Sequence, residues 1–444
     1  MNTTRRVFVK SGALALASVG TMPGWGPAFL RGTVFADEPN RASNATGGRK
    51  VLVCIFQRGA VDGLSMVVPH GDPSYYQFRG TSGGGIAIPA TGDGGVIDLD
   101  GQFGLHPSLA PLKPIYDAGF LAPIQAVGSP NPSRSHFDAQ DFMESATPGN
   151  NMAPDGWLAR TLHYCPEDAA NSSIRAVSMT SNIPRSLMGD PDALALGDMR
   201  NFGIGQTTPV AGKKARAVAM TPVANDPTSG FEAMYDGAVG DVLHGAGTET
   251  FDALKMLGSV KPGSYVAAGG AKYPTSSLGN SLKQIAQLIK ADVGLEVAFA
   301  DVSGWDTHVA QGGAQGTLSR RLADFGQSLA AFYQDMGDGM SNVVVLTMSE
   351  FGRTVHQNGN GGTDHGHATC FLAMGGSVGG GKVLGQWPGL AMENLYQNRD
   401  LAVTTDFRDV FGEVAARHLG VRELDAVFPD YQTSTDRFRG VVRV

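Results

Sequence analysis

The sequence predicts an α/β protein with a doubly wound, mostly parallel sheet and helices on both faces. Six apolar runs have the length and composition of strands that are buried on both sides. Amphipathic helical patterns lie between several of these runs, and chemically reactive side chains follow four of them. Buried strands that alternate with helices are typical of layered α/β folds, in which crossover helices join parallel strands.

The predicted strands are short and almost entirely apolar. Val51–Phe56 begins the fold directly after a polar stretch rich in Gly, Ser and Asn, and it contains Cys54, which we interpret as a core thiol. The other five runs are Gly119–Val127, Arg175–Met179, Leu295–Ala300, Val343–Met348 and Phe371–Met374.

Two helices have a clear apolar stripe at helical spacing. Thr317–Met336 places Leu318, Leu322, Phe325, Leu329 and Phe332 on one face. The second helix places Leu278, Leu282, Ile285 and Leu288 on one face. Residues 181–270 are less regular and rich in Gly, Asp and Pro, so we predict a loop-rich insertion there.

The N-terminus has the order of a twin-arginine export signal. Arg5 and Arg6 precede Val-Phe-Val-Lys and a mild apolar stretch from Gly12 to Met22. That stretch is shorter than the roughly 18 to 20 residues that span a bilayer, so no permanent membrane anchor is expected. We predict cleavage after Ala36, the twin-arginine translocase as an export partner, and a periplasmic or secreted product.

The predicted organisation is a signal peptide at 1–36, a flexible leader at 37–49 and one α/β domain at 50–444. The chain has 34 basic and 41 acidic side chains. All of the charged side chains in the predicted signal peptide are basic. An acidic chain without a basic cluster lacks the charge of a nucleic-acid-binding protein. Three cysteines allow at most one internal disulfide, and no Cys-x-x-Cys pair is present.

Reactive side chains follow four predicted strands. In open α/β sheets, ligands bind beyond the carboxyl ends of the strands, where loops converge. Asp62 follows the first strand, and Arg134, Ser135 and His136 follow the second. The later loops contain Asp306, His308, Glu350, Arg353, Asp364, His365 and His367.

Ligand sets that mix carboxylate oxygens with imidazole nitrogens suit Zn, Mn or Fe, and they differ from thiolate sites. Several of these residues also fit a purely structural role. Asp62-Gly63 is also a common turn pair, and Asp306–His308 also fits an Asp-stabilised turn. Arg134 and Arg353 are either oxyanion clamps or ordinary salt-bridge partners. The alternating histidines of Asp364–His367 are the sharpest signal, because histidines between glycines have little use in packing.

Five segments together resemble a known family. They are Arg58–Leu64, Ser133–Gln140, Gly304–His308, Ser349–Thr354 and Gly362–His367. The chain resembles the twin-arginine-exported domain-of-unknown-function family 1501, which is grouped with the alkaline phosphatase and sulfatase superfamily. The resemblance extends over roughly residues 50 to 420.

The resemblance implies an alkaline phosphatase-like fold with Asp62 on a metal and a nucleophile at a helix start. By this resemblance, Ser135 would occupy the nucleophile position. The chain departs from the superfamily at Ser349-Glu350, where Asp-His is common, and in the close spacing of Asp306 and His308. Pro130 stands where sulfatases have the cysteine that becomes formylglycine, so ordinary sulfatase chemistry is not expected.

Two functions are compatible with these residues. The first is an exported metal-dependent hydrolase of phosphate or sulfate esters, acting on a small-molecule or glycan ester. It would use one or two divalent ions, with Zn, Mn or Ca as candidates. The expected catalytic residues are Ser135, Arg134 and Arg353, and the expected metal ligands are Asp62, Asp306, His308, Glu350, Asp364, His365 and His367. The second is a non-catalytic periplasmic binding or assembly protein that retains the fold.

Overall fold

An eight-stranded mixed sheet forms the centre of the described part of the chain. The computed structural model describes residues 48–80, 84–166, 174–190, 192–199, 260 and 264–443. The predicted signal peptide, most of the predicted leader and residues 200–259 of the predicted insertion lie outside these ranges. The described residues from Arg49 onward form one compact unit.

The strand bounds agree closely with the apolar runs. The main sheet contains β1 (Val51–Arg58), β5 (Leu121–Gly128), β6 (Ala176–Ser178), β7 (Ala193–Ala195), β8 (Val297–Ser303), β9 (Val343–Met348), β10 (Thr369–Gly375) and β11 (Thr405–Asp406). A small antiparallel sheet contains β2 (Val67–Val68), β3 (Ile97–Asp98) and β4 (Gly104–Leu105).

The strand order in the main sheet is β11-β5-β10-β9-β1-β8-β6-β7. β1 pairs in parallel with β8 and β9, β6 pairs in parallel with β7 and β8, and β5 pairs in parallel with β11. β10 runs antiparallel to both of its neighbours. The prediction of a mostly parallel α/β sheet is therefore confirmed. Because β10 is reversed, the loop that leads into it lies at the same edge as the carboxyl ends of β1, β5, β8 and β9.

Nine α-helices accompany the strands in the described residues. They are α1 (Gly63–Met66), α2 (Pro73–Arg79), α3 (Lys113–Asp117), α4 (His136–Ser145), α5 (Trp157–His163), α6 (Ser277–Lys290), α7 (Thr317–Met336), α8 (Phe407–Arg417) and α9 (Leu424–Val427). Short 3-10 helices lie at Pro107–Leu112, Arg185–Leu187, Ala268–Gly270, Gly337–Asn342, Met392–Asn394 and Thr435–Arg437. None of the helices in the described ranges is long and apolar enough to cross a membrane.

Alternate residues of β1 point into two separate apolar cores. Val51, Val53 and Ile55 share one core with the predicted stripes of α6 and α7. Leu52, Cys54 and Phe56 share the other core with α5 and α8. The period of two along a strand thus places helices on both faces of the sheet, as the doubly wound prediction requires.

Candidate metal centre

Three loops meet at the carboxyl edge of the sheet and bring three histidines to one carboxylate. Asp306 follows β8, and its two oxygens face His136, His308 and His365. The Nε2 atoms of His308 and His365 lie 3.1 and 3.3 Å from Oδ1 of Asp306. Nε2 of His136 lies 3.5 Å from Oδ2. The spacing of three of these residues suits a metal ion, because one ligand atom from each of them lies within 4.8 Å of the other two. These residues are His136, Asp306 and His365.

Each histidine of the cluster has its outer ring nitrogen fixed by an oxygen. Nδ1 of His136 lies 2.8 Å from Oε1 of Glu350, and Nδ1 of His308 lies 2.8 Å from Oδ1 of Asp364. Nδ1 of His365 lies 2.9 Å from the carbonyl oxygen of Arg134. A carbonyl or carboxylate oxygen only accepts, so the neutral tautomer of each ring has its proton on Nδ1 and a free lone pair on Nε2.

In these neutral tautomers the three Nε2 lone pairs all face Asp306. Nε2 of His308 and Nε2 of His365 lie only 2.9 Å apart. Nε2 of His136 is buried and has no hydrogen-bond partner. Buried polar atoms are normally satisfied, so an unpartnered nitrogen aimed at a carboxylate indicates a site for a cation. Three imidazoles and one carboxylate form a donor set that zinc and similar transition metals accept.

The local chain geometry explains why glycines lie close to His365 in the sequence. Arg353 and His365 lie opposite each other as an isolated antiparallel bridge in the β9–β10 connection. A Cβ on Gly366 would lie 2.4 Å from the backbone of Arg353, and a Cβ on Gly362 would lie 2.4 Å from the backbone of His308. These glycines allow the backbones to approach closely enough for the histidines to meet.

The predicted residues Glu350 and Asp364 lie beside the centre and hold its histidines. Glu350 is fully buried and accepts hydrogen bonds from the Gly59 backbone at 2.8 Å, from Gln140 at 2.9 Å and from His136. Asp364 accepts from Asn358 at 3.0 Å as well as from His308. Carboxylates in this position orient metal-binding histidines and increase their basicity.

The structure places two other predicted ligands away from the cluster. Asp62 lies in a buried ion pair with Arg79 at 2.5 Å, and both of its oxygens accept from that guanidinium. His367 lies 3.0 Å from the carbonyl oxygen of Ser129 and packs against the ring of Tyr396. The sequence shows which residues follow a strand, but the partners of a side chain depend on loops that are distant in the chain.

The predicted ligand set omits His136, which the structure places in the cluster. His136 is the first residue of α4, and its ring stacks on Phe351. The available signal was its position in a loop after the second strand, beside Ser135. Because the sequence pattern of Ser133–Asp138 also fits a helix start, it did not distinguish a metal ligand from a helix-starting residue.

The three predicted catalytic residues have different surroundings. Arg353 is fully buried, and its Nη1 donates to Oδ1 of Asp306 at 2.7 Å. Arg134 pairs with Asp400 at 2.5 Å, so its guanidinium contacts a carboxylate outside the cluster. Ser135 caps α4, and its hydroxyl accepts from the Asp138 backbone at 3.4 Å.

The pKa directions follow from burial and charge. A hydrogen bond with Glu350 raises the pKa of His136, while burial lowers the pKa of His365. Burial by itself raises the pKa of Asp306, but the hydrogen bond and charge of Arg353 outweigh it and the net pKa is lowered. The lowered pKa values favour the anionic form of Asp306 and the neutral form of His365, which are the forms that a metal ion requires. The raised pKa of His136 favours its protonated ring, so a bound ion would displace a proton from Nε2 of His136.

Part of the chain matches a described family. Residues 261–428 match the family whose description is "Protein of unknown function (DUF1501)". This range contains Asp306, His308, Arg353 and His365 but not His136. Among solved structures, the C-terminal periplasmic domain of EcEptC from Escherichia coli, in complex with Zn, is similar with a TM-score of 0.31. It is 9% identical, and the similarity covers 75% of this chain and 74% of that chain. No curated protein matches the chain.

Proposed function

We propose that this chain is a metal-dependent hydrolase of phosphate or sulfate esters. The observation that supports the proposal is the convergence on Asp306 of three Nε2 atoms, each of which has a free lone pair when its ring is neutral. In this proposal His136, Asp306, His308 and His365 hold one divalent ion, and Glu350 and Asp364 orient two of the histidines. Within the described ranges, His136, Asp306 and His365 form the one group of three such residues whose ligand atoms lie within 4.8 Å of one another, and His308 adjoins it with its Nε2 3.1 Å from Asp306.

The donor set favours a transition metal over calcium. Calcium prefers six to eight oxygen ligands, whereas three of the four donors here are imidazole nitrogens. Zinc, manganese and iron all accept mixed imidazole and carboxylate ligands. We therefore propose Zn, Mn or Fe as the resident ion.

When bound, such an ion would supply Lewis-acid polarisation of an ester oxygen. The side chains of Asp306 and His308 are 41% and 38% exposed, so a substrate can reach the centre from solvent. Arg353 lies behind Asp306 with its guanidinium fully buried. Its fixed positive charge would stabilise the negative charge that an anionic ester brings to the site.

Ser135 remains the proposed nucleophile, and a water molecule is the alternative. Ser135 lies between Arg134, whose carbonyl oxygen holds His365, and His136 of the cluster. Its hydroxyl accepts a hydrogen bond from the Asp138 backbone at 3.4 Å, which is longer than a typical N–H···O hydrogen bond. The N-terminus of α4 would favour an anion at this position.

The proposal includes export to the periplasm or secretion. It rests on the paired arginines at Arg5 and Arg6 and the apolar stretch that follows them. We also propose that the resemblance to family 1501 extends beyond residues 261–428 to the loop containing His136. The proposed substrate class is a small-molecule or glycan ester.

The experiment is to strip the purified protein with a chelator and reload it separately with Zn, Mn, Fe and Ca. Each form is then assayed with chromogenic phosphate monoesters, phosphate diesters and sulfate esters. We expect turnover in at least one transition-metal form and none in the stripped form. His365→Ala should lose both the ion and turnover, while His367→Ala, its matched control, should keep the ion.

A second outcome would support the non-catalytic alternative. If the protein binds one transition-metal ion with His365 but turns over none of these esters, it is a metal-containing binding or assembly protein. If no transition metal binds at all, the proposed site is wrong.

A further inference from the structure

A buried polar network connects Asp62 to the candidate metal centre. It starts with Arg79, whose Nη1 and Nη2 donate to Oδ2 and Oδ1 of Asp62 at 2.5 and 2.9 Å. Both side chains are fully buried. Burial by itself raises the pKa of Asp62, but the charge of Arg79 outweighs it, so the net pKa is lowered and the pair is ionic.

Arg79 also fixes the chain next to Arg353. Its Nη2 donates to the carbonyl oxygen of Thr354 at 3.1 Å, and its Nε donates to the carbonyl oxygen of Val355 at 3.1 Å. These two residues directly follow Arg353. The ion pair with Asp62 therefore anchors the β9–β10 connection immediately beside the residue that contacts Asp306.

Gln311 joins Asp62 to the two loops that contain the ligands. Its Nε2 donates to Oδ2 of Asp62 at 2.6 Å. Its Oε1 accepts from the hydroxyl of Thr307 at 2.7 Å and from the hydroxyl of Thr363 at 2.8 Å. The carboxylate only accepts, so the amide orientation is fixed and both ends of the Gln311 side chain are satisfied.

The two threonines are next to the ligands in the chain. Thr307 lies between Asp306 and His308. Thr363 is two residues before His365. The hydroxyl of Thr363 also accepts from Nε of Arg353 at 3.3 Å, and its carbonyl oxygen accepts from Nη2 of Arg353.

Arg353 completes the path by donating to Asp306 at 2.7 Å. The route from Asp62 through Gln311, Thr363 and Arg353 to Asp306 is continuous, and every step is a hydrogen bond. A fully satisfied buried network is rigid, because altering one member leaves its neighbours unpaired.

We propose that Asp62 and Gln311 are positioning residues, which hold Arg353, Thr307 and Thr363 so that the cluster at Asp306 is preorganised to bind its ion. The inference rests on the metal site of the proposed function. It assigns Asp62 a role in orienting the ligands through hydrogen bonds. Groups that orient metal ligands typically contribute about 10- to 100-fold to metal affinity.

The test is the dissociation constant for Co²⁺, measured by the visible absorption of the bound ion, together with the thermal midpoint of the metal-free protein. Gln311→Met keeps the length of the side chain but removes its hydrogen bonds to Asp62, Thr307 and Thr363. The matched control is Gln125→Met, which removes a buried glutamine whose Nε2 donates to the carbonyl oxygen of Val67. Gln125 lies in β5 and is not part of the network.

We expect Gln311→Met to weaken Co²⁺ binding about 10- to 100-fold and to alter the absorption spectrum of the bound ion. The control should lower the thermal midpoint while its dissociation constant stays close to that of the wild type. If Gln311→Met does not fold, Thr363→Val serves instead, because it removes one hydroxyl at nearly constant shape. We expect it to weaken binding about tenfold.

A variant that binds Co²⁺ as tightly as the wild type, with an unchanged spectrum, would overturn the positioning role and leave the network purely structural. A wild-type protein that binds no Co²⁺ would instead overturn the proposed metal site itself, and the inference with it. The two failures are therefore distinguished by the wild-type measurement.

Discussion

The Nε2 atoms of His308 and His365 lie 2.9 Å apart, although neither nitrogen has a proton to donate in the neutral ring. The Nδ1 proton of His308 is held by Asp364, and that of His365 is held by the carbonyl oxygen of Arg134. Two lone pairs at this distance repel each other unless a positive charge lies beside both. The contact is therefore favourable only when a cation or an added proton is present, which is the physical basis of the proposed metal centre.

Arg353 should determine the affinity of the site for anions. Arg353→Lys keeps the positive charge but loses the fork that contacts both Thr363 and Asp306. We expect the inhibition constant for inorganic phosphate to rise at least about tenfold, because Asp306 would lose a charged hydrogen bond that holds it in place beside the anion site. Arg185→Lys is the matched control, because Arg185 pairs with Asp141 outside the centre. Equal inhibition constants in the wild type and Arg353→Lys would remove Arg353 from anion binding.

Ser135 is either a nucleophile or only a helix cap, and two substitutions separate these roles. Loss of a cap costs about 1 kcal/mol in Ser→Ala and only a few tenths in Ser→Gly. We expect both variants to retain the ion and to lose turnover by several orders of magnitude on any active ester. Near-normal turnover in Ser135→Gly would show that water is the attacking group.

The layered fold could be predicted because its signals are local. An uninterrupted apolar run such as Val343–Met348 leaves few alternatives to a buried strand, and it forms β9 with the same bounds. The helix predicted at Thr317–Met336 forms α7 with the same bounds. The reversed direction of β10 could not be predicted, because direction depends on how the chain connects and not on the composition of the strand.

The candidate site was only partly predictable, for a related reason. The rule that loops converge at the strand ends identified Asp306, His308 and His365, which meet there. It could not separate them from Asp62, whose position after β1 is equally suggestive. What distinguishes Asp62 is Arg79, a residue in α2 that has no motif of its own and that neutralises the carboxylate in the core. His136 is the opposite case, because its position at the start of α4 did not indicate that its Nε2 faces Asp306.

Stability should fall in mild acid because of His418, which lies far from the candidate site in the chain. Burial lowers the pKa of His418 to about 4, and the ring contacts the carbonyl oxygen of Val51 at 3.0 Å. The folded state thus binds this proton less readily than the unfolded chain, whose histidine pKa is about 6.5. The stabilisation is complete above about pH 6.5 and is lost as the pH falls towards 4.

We expect this residue to contribute about 2 kcal/mol to the loss of unfolding free energy between pH 7 and pH 5. Denaturant unfolding of the wild type and of His418→Gln at both pH values measures it, with the exposed His163→Gln as the control. If His418→Gln loses as much stability as the wild type over this range, the assignment to His418 is incorrect.

Export should depend on the paired arginines. In Arg5→Lys/Arg6→Lys the charge is unchanged, but the guanidiniums that mark a twin-arginine signal are absent. We expect the uncleaved precursor to accumulate in the cytoplasm, as measured by fractionation and immunoblotting. Substitution of Arg31 by lysine, outside the motif, is the control. Mature protein from the double variant in the periplasm at the wild-type level would contradict the twin-arginine assignment.

The central claim is that one ion is held by His136, Asp306, His308 and His365. The most direct measurement is an anomalous difference map from crystals grown with zinc, with data collected on both sides of the zinc absorption edge. We predict a single peak about 2.0 to 2.2 Å from Nε2 of the three histidines and from an oxygen of Asp306. A map with no peak among these four side chains, or with zinc bound only elsewhere, would contradict the claim.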